Sequence, residues 1–111
     1  MTGNEVASIV HAQIGGHCEF RNSHGVDIAR CLVPPVEIDI IFRRVRNGRI
    51  SDEPLRVWLV LEERTGDRDC YRIVFNETLR SFGLVSAGFK TDPHSVLCGW
   101  YGDFLTALEA M

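Results

Sequence analysis

The sequence has almost no lysine and no long apolar run. Lys90 is the only lysine among 12 basic residues, and 15 acidic residues leave a formal net charge of -3. A charge this mild gives no general attraction to nucleic acid or to an anionic membrane. No apolar stretch approaches the ~20 residues of a membrane span, and the N-terminus does not resemble a secretion signal. We therefore expect a cytoplasmic protein without membrane contact.

The sequence also lacks closely spaced cysteines, since its four residues at Cys18, Cys31, Cys70 and Cys98 are widely separated. In a chain expected inside the cell, we interpret them as reduced thiols. Hydrophobic residues make up 45% and charged residues 24% of the sequence, as in folded globular proteins. A chain of this length can bury its own core, so we expect a single domain over residues 1–111.

Motifs for phosphate-binding loops, nucleophile elbows and paired-histidine metalloproteases are absent from the sequence. Metal-capable residues are densest in the N-terminal third, at His17, Cys18, His24 and Cys31. Their spacing lacks the close ligand pairs that are typical of tetrahedral zinc sites. We therefore predict no metal and no cofactor.

A cysteine nucleophile at Cys98 would need His94 as its base and Asp92 or Asp103 to orient that base. Residues four apart on an extended strand are separated by roughly 13 Å. If both residues lie on one strand, His94 cannot reach Cys98. We therefore interpret Cys98 as a core residue and predict no catalytic residue.

Apolar residues at helical spacing predict one helix at each end of the chain. The first runs from Glu5 to Ile14, with Asn4 accepting hydrogen bonds from its free amides. The last runs from Phe104 to Met111 behind Asp103 as its cap, and its apolar stripe needs a sheet to cover. A short helix or turn is expected over residues 26–32.

Alternating apolar residues predict strands that begin at Val36. Asn47-Gly48 tolerates the positive φ of a type I′ turn and indicates a hairpin, and Pro54 is expected to mark a bulge or an irregular entry to the next strand. Short turns between consecutive strands favour antiparallel pairing. We predict an α+β domain, in which an antiparallel meander sheet of about five strands has an N-terminal and a C-terminal helix packed on one face. The other face is expected to be partly solvated.

Charge is concentrated around two of the predicted hairpins. Acidic residues interleaved with arginines surround the turn near Gly66, and several arginines precede and follow Asn47. We interpret both as solvated, mixed-charge turns that would contact a protein partner. The candidate partner-binding residues are Glu62, Glu63, Asp67, Asp69, Arg43 and Arg44.

Four segments occur in an order that resembles uncharacterised small bacterial α+β domain proteins. They are Trp58–Glu63, Tyr71–Phe75, Phe82–Leu84 and Gly99–Leu105. Such proteins look like those found as immunity proteins beside bacterial toxins. The resemblance covers roughly residues 56–111, and it carries over no catalytic residue.

Three functional hypotheses remain open from the sequence. The first is a non-enzymatic intracellular protein-binding module, immunity-like in the sense of the resemblance. The second is a small enzyme or ligand-binding domain on the open sheet face, with His94, Glu62 or Asp69 supplying acid/base chemistry. The third is a nucleic-acid-binding domain that uses the arginines of residues 43–46. The sequence predicts neither a partner's identity nor an oligomeric state.

Overall fold

A computed structural model of the chain describes residues 1–17, 19–64, 66–67 and 69–111. Within them, the helices are α1 (Gly3–Ile14), α2 (Ile28–Cys31) and α3 (Phe104–Glu109). The strands are β1 (Leu32–Arg46), β2 (Arg49–Glu62), β3 (Arg72–Asn76), β4 (Ser81–Ser86) and β5 (Val96–Gly102). Consecutive strands pair antiparallel, so the predicted α+β class and the five-strand order are confirmed.

The sheet is a closed barrel, so our prediction of an open meander is wrong. β1 meets β5 in parallel where Ile41 pairs with Val96, and the Ile41 amide donates to the Ser95 carbonyl at 2.9 Å. Register shifts interrupt the β1–β2, β2–β3 and β4–β5 pairings. Such irregularities bend strands and increase twist, which lets a short sheet close on itself.

Alternation divides the apolar side chains into two layers. The inner layer receives side chains from all five strands, with Ile40, Val57, Leu59, Val74 and Val85 at its centre and Leu97 and Trp100 at its margin. The outer layer joins the barrel to the helices, and its large buried members include Phe75, Phe82, Phe104 and Leu108. The inner sheet face is therefore packed with side chains, in contrast to the solvated face that we expected.

Gly83 creates the space in which Trp100 packs against β4. These two residues are direct partners in the β4–β5 pairing. A Cβ added at Gly83 would lie 2.5 Å from Trp100 Cε3 and 3.0 Å from the Gly99 carbonyl oxygen. The position therefore requires glycine because a large ring occupies the place of its side chain.

The N-terminal helix begins earlier than predicted because Thr2, rather than Asn4, is its cap. Thr2 Oγ1 accepts from the Glu5 amide at 3.2 Å, and Glu5 Oε1 accepts from the Thr2 amide at 3.3 Å. This is a reciprocal capping box. Asp103 caps α3 as predicted, since its Oδ1 accepts from the Thr106 amide at 2.8 Å. Hydrogen bonds from Thr106 lower the pKa of Asp103.

Two expectations about the long hairpin are also wrong. β1 begins at Leu32 instead of Val36, and a register shift between these two residues accommodates the intervening prolines. Pro54 faces Ile41 in regular pairing, without a bulge. Pairing of β2 with β3 is described only from Trp58 onward, so no neighbouring strand requires an amide hydrogen from Pro54.

Candidate functional site

The outer part of the β1–β2 hairpin extends beyond the barrel, and we call residues 42–55 the arm. Residues 45–54 are all exposed. Their described partners in the sheet lie in the hairpin itself, because β1 meets β5 at Ile41 and β2 meets β3 from Trp58. The φ angles of Asn47 and Gly48 are 50° and 73°, which confirms the predicted hairpin turn.

One face of the arm presents large apolar side chains to solvent. Val45 and Ile50 are direct cross-strand partners and therefore share this face. Their exposed fractions are 69% and 67%. Phe89, in the loop before β5, is 72% exposed, and its ring centroid lies 5.8 Å from the guanidinium carbon of Arg43 on this face. We call Val45, Ile50 and Phe89 the apolar face.

Arg43 holds the loop that contains Phe89 against the arm, through contacts that we call the clamp. Its Nε and Nη2 donate to the two carboxylate oxygens of Asp52 at 2.8 and 2.9 Å. Its Nη2 also donates to Asp92 Oδ1 at 2.7 Å. The buried Asp92 accepts from the Phe89 amide at 2.7 Å through its other oxygen. Bidentate pairs of this kind hold both partners in one geometry.

The clamp also changes the protonation equilibria of its members. Hydrogen bonds to Asp52 and Asp92 raise the pKa of Arg43. The same guanidinium lowers the pKa of Asp52. The ion pair therefore persists at every pH at which Asp52 stays ionised.

The opposite face of the arm is cationic. Its side chains are Phe42, Arg44, Arg46, Arg49, Ser51, Glu53 and Leu55, as cross-strand pairing requires. The guanidinium carbon of Arg44 lies 4.7 Å from the centroid of the Phe42 ring, and its Nη2 lies 3.5 Å from Glu53 Oε2. The arm as a whole has four arginines and two carboxylates in a chain whose net charge is -3. Positive charge is therefore concentrated at this end of the molecule.

The six predicted partner-binding residues fall into two separate groups. Arg43 and Arg44 lie in the arm, but the two carboxylates of the clamp already neutralise Arg43. The acidic residues surround the β2–β3 connection, where Glu63 and Asp69 line a groove of about 530 Å³. The groove also reaches Phe89. It thus runs from the acidic turn to one member of the apolar face.

The acidic turn is held by internal contacts. Arg64 donates to Asp67 at 2.8 Å and lies 4.0 Å from Glu63. The hydrogen bond from Arg64 is the main cause of the lowered pKa of Asp67, and Asp67 raises the pKa of Arg64. Glu62 accepts from the Gly66 amide at 3.5 Å. The carboxylates of this turn mostly stabilise its own conformation.

The enzyme hypothesis depends on groups that the structure does not bring together. No hydrogen bond or ion pair among the described residues joins His94 to Glu62 or Asp69. The inner layer fills the sheet face on which this hypothesis placed its site. Cys98 is exposed rather than in the core, because Leu97 is the neighbour that enters the inner layer.

Metal binding has no support in the described parts of the chain. Among residues 1–17, 19–64, 66–67 and 69–111, no group of three or more His, Cys, Asp or Glu side chains could hold an ion. Cys18, one of the four residues considered from the sequence, lies outside these ranges. The structure therefore describes only His17, His24 and Cys31 of that cluster.

Sequence reasoning missed all three members of the apolar face. Val45 and Ile50 offered a signal, because apolar residues symmetric about Asn47-Gly48 must share one face of a hairpin whose neighbours are charged. Phe89 offered none. Its position depends on Asp92 contacting Arg43, which is 49 residues away in sequence.

Comparison with models of known families, with curated proteins and with solved structures found no match. The resemblance to immunity proteins therefore stays a prediction. No helix in the described part of the chain is long and apolar enough to cross a membrane. The functional argument consequently depends on the geometry of the arm.

Proposed function

We propose that this protein is a non-enzymatic protein-binding module that docks on its partner through the apolar face of the arm. The observation that carries the proposal is the exposure of Val45, Ile50 and Phe89, each between 67% and 72%, on one side of a projecting hairpin. Grouped apolar side chains on the surface of a small protein mark interaction sites. Aromatic and aliphatic anchors of this kind form the centres of protein interfaces.

The clamp supports this proposal because it orders the docking surface before a partner arrives. Arg43 binds both Asp52 of β2 and Asp92 of the loop, and Asp92 accepts from the Phe89 amide. The loop that contains Phe89 is therefore held against the hairpin. Binding then costs less conformational entropy than it would with a free loop. The arginine that the sequence suggested as a direct contact thus acts as a support for the apolar contacts.

The charge of the arm points to a partner that is a different protein with an acidic surface. Arg46 and Arg49 face each other near the tip. The neighbouring Arg44 lies 3.5 Å from the carboxylate of Glu53. These arginines lie on the opposite face of the arm from Val45 and Ile50, so they act by longer-range attraction, which steers an acidic partner to the arm and speeds association. Two copies of this chain carry the same positive charge at this end, so we favour a heterologous partner. The resemblance of residues 56–111 to immunity proteins, itself a prediction, would imply a partner of this kind.

The test compares capture of partners by the wild-type chain with capture by a Val45→Asp, Ile50→Asp double variant. Val36→Asp is the matched control, because Val36 is also exposed on β1 but lies outside the arm. The captured protein is then purified, and its affinity is measured by calorimetry. We expect the double variant to bind at least about 30-fold more weakly, as for a hot-spot residue, and the control to bind as the wild type does.

Three results would refute the proposal. One is equal affinity of the double variant and the wild type for the purified partner. Another is a concentration-dependent dimer of the isolated chain in sedimentation experiments, which the double variant abolishes. The third is salt-dependent binding of single-stranded nucleic acid that survives the double variant and is lost when Arg44, Arg46 and Arg49 become glutamine.

A further inference from the structure

A second site lies on the cationic side of the arm, where the arm joins the mouth of the barrel. A cavity of about 340 Å³ opens there. Its apolar walls are Phe42 and Leu55 of the arm, Leu79 of the β3–β4 turn and Trp100 of β5. Leu55 and Trp100 also border the inner layer, so the cavity continues the barrel interior toward solvent. Its volume falls within the range of small-molecule sites, and barrel mouths are a common location for them.

Arg44 supplies an available donor in this mostly apolar cavity. Its Nε is buried and has no hydrogen-bond partner among the described residues. Its guanidinium group lies against the Phe42 ring, and its closest acidic contact is Glu53 at 3.5 Å, which is long for a charge-assisted hydrogen bond. A buried donor without a partner is unfavourable, and an incoming anionic acceptor would relieve that cost.

We propose that this cavity binds a small aromatic monocarboxylate, with its ring among Leu55, Leu79 and Trp100 and its carboxylate on Arg44. Planar apolar groups match walls that contain two aromatic rings. A volume of 340 Å³ holds roughly ten heavy atoms, if each takes about the 30 Å³ of a water molecule in the liquid. The lining also contains Glu53, which disfavours a more highly charged anion such as a phosphate monoester, and Arg56, which already pairs with Asp39 at 3.1 Å. This site is separate from the apolar face and does not depend on the proposed protein-binding role.

The first experiment is an NMR titration of the ¹⁵N-labelled chain with phenylacetate, phenylacetamide and acetate. Phenylacetate has the ring, the carboxylate and the size that the cavity requires, while phenylacetamide keeps the shape without the charge. We expect phenylacetate to shift the signals of Leu55, Leu79, the Trp100 indole and Arg44 Nε, with a Kd on the order of 1 mM. Phenylacetamide should bind at least about tenfold more weakly, and acetate should cause no saturable shift.

Variants then test the role of each wall. Arg44→Gln should remove the preference for phenylacetate over phenylacetamide, whereas Arg46→Gln, on the same face but outside the cavity, should preserve it. Leu79→Asp should abolish binding of both compounds and leave the fold intact, since Leu79 is exposed. The Val45→Asp, Ile50→Asp double variant should bind phenylacetate normally, which separates this proposal from the protein-binding one.

The proposal fails if no saturable shift occurs at 10 mM phenylacetate, a concentration about ten times the expected Kd. It also fails if the shifts map away from the cavity, or if phenylacetate and phenylacetamide bind equally well to the wild type. If Arg44→Gln keeps the preference for phenylacetate over phenylacetamide, Arg44 does not bind the carboxylate, and the proposal is overturned.

Discussion

The two halves of the β1–β2 hairpin place apolar side chains in opposite environments. In the barrel half, Ile41 is only 6% exposed. In the arm, Val45 lies on the same face of β1 as Ile41, yet Val45 and its cross-strand partner Ile50 are about two-thirds exposed. Alternation determines which residues share a face, and neighbouring elements decide whether that face is covered.

This difference separates stability from binding within one pair of strands. The barrel half contributes to two packed layers that contain the largest buried side chains of the molecule. The arm contributes few apolar contacts to either layer, so changes at its tip should cost little folding free energy. The following predictions are ordered from the largest expected effect on stability to the smallest.

Phe82→Ala should cause the largest loss, about 3–5 kcal/mol in the free energy of unfolding. The Phe82 ring lies 4.8 Å from that of Phe75 and 5.6 Å from that of Phe104, centroid to centroid, so its removal leaves a cavity in the outer layer. Urea unfolding measures the change. Phe89→Ala is the control, since this exposed ring should contribute less than about 1 kcal/mol. Similar losses for the two variants would contradict the division between barrel and arm.

Gly83→Ala should destabilise the barrel by about 1–3 kcal/mol, because the new methyl group would overlap Trp100. Thermal unfolding and Trp fluorescence together would detect the loss of stability and the displaced ring. Gly16→Ala is the matched control, since an added Cβ there has no neighbour within 4 Å. An unaffected Gly83→Ala variant would show that Trp100 does not pack against β4 in solution.

Val57→Thr should cost about 1–3 kcal/mol, because it places a hydroxyl group in the inner layer of the barrel half. The same change made at Val45 in the arm should stay within about 0.5 kcal/mol, because that side chain is already solvated. Chemical denaturation of the two variants compares the halves directly. Equal costs would mean that the arm is covered in solution.

Asp103→Ala should remove about 0.5–2 kcal/mol through loss of the α3 cap, while Asp103→Asn keeps an acceptor and should lose less. The folded-state pKa of Asp103 is lowered, so its charge stabilises the fold above the ordinary aspartate range. That contribution disappears as the pH falls through the lowered pKa. Stability curves of the wild type and Asp103→Asn should therefore converge in acid; a constant difference between them would contradict this account.

The clamp should respond to acid with a local effect and little change in global stability. Since Arg43 lowers the pKa of Asp52, the ion pair should survive below the ordinary aspartate pKa of about 3.9 and break as the pH falls further. The NMR signal of Arg43 Nε, which donates to Asp52, would report the transition. Asp52→Asn should abolish it, and its persistence in that variant would show that another group causes it.

Local chemistry was sufficient to predict much of the fold. Asn47-Gly48 specifies its turn through backbone preference, and Asp103 specifies the start of α3 through one hydrogen bond. Both signals act within a few residues, so they can be identified without tertiary information. The candidate site was only partly accessible in this way, because Arg43 and Arg44 attracted attention by charge while the apolar face did not.

Neighbouring residues are enough to specify the order of the strands, the hairpin and the α3 cap. The contact of Ile41 with Val96, which closes the barrel, follows only from tertiary packing, because it joins residues 55 positions apart without a local signal. The same holds for Phe89, which reaches the arm through Asp92 and Arg43. Such long-range contacts decide which side chains are buried and how the site is arranged. The sequence pattern specifies only which residues share a face of a strand or helix.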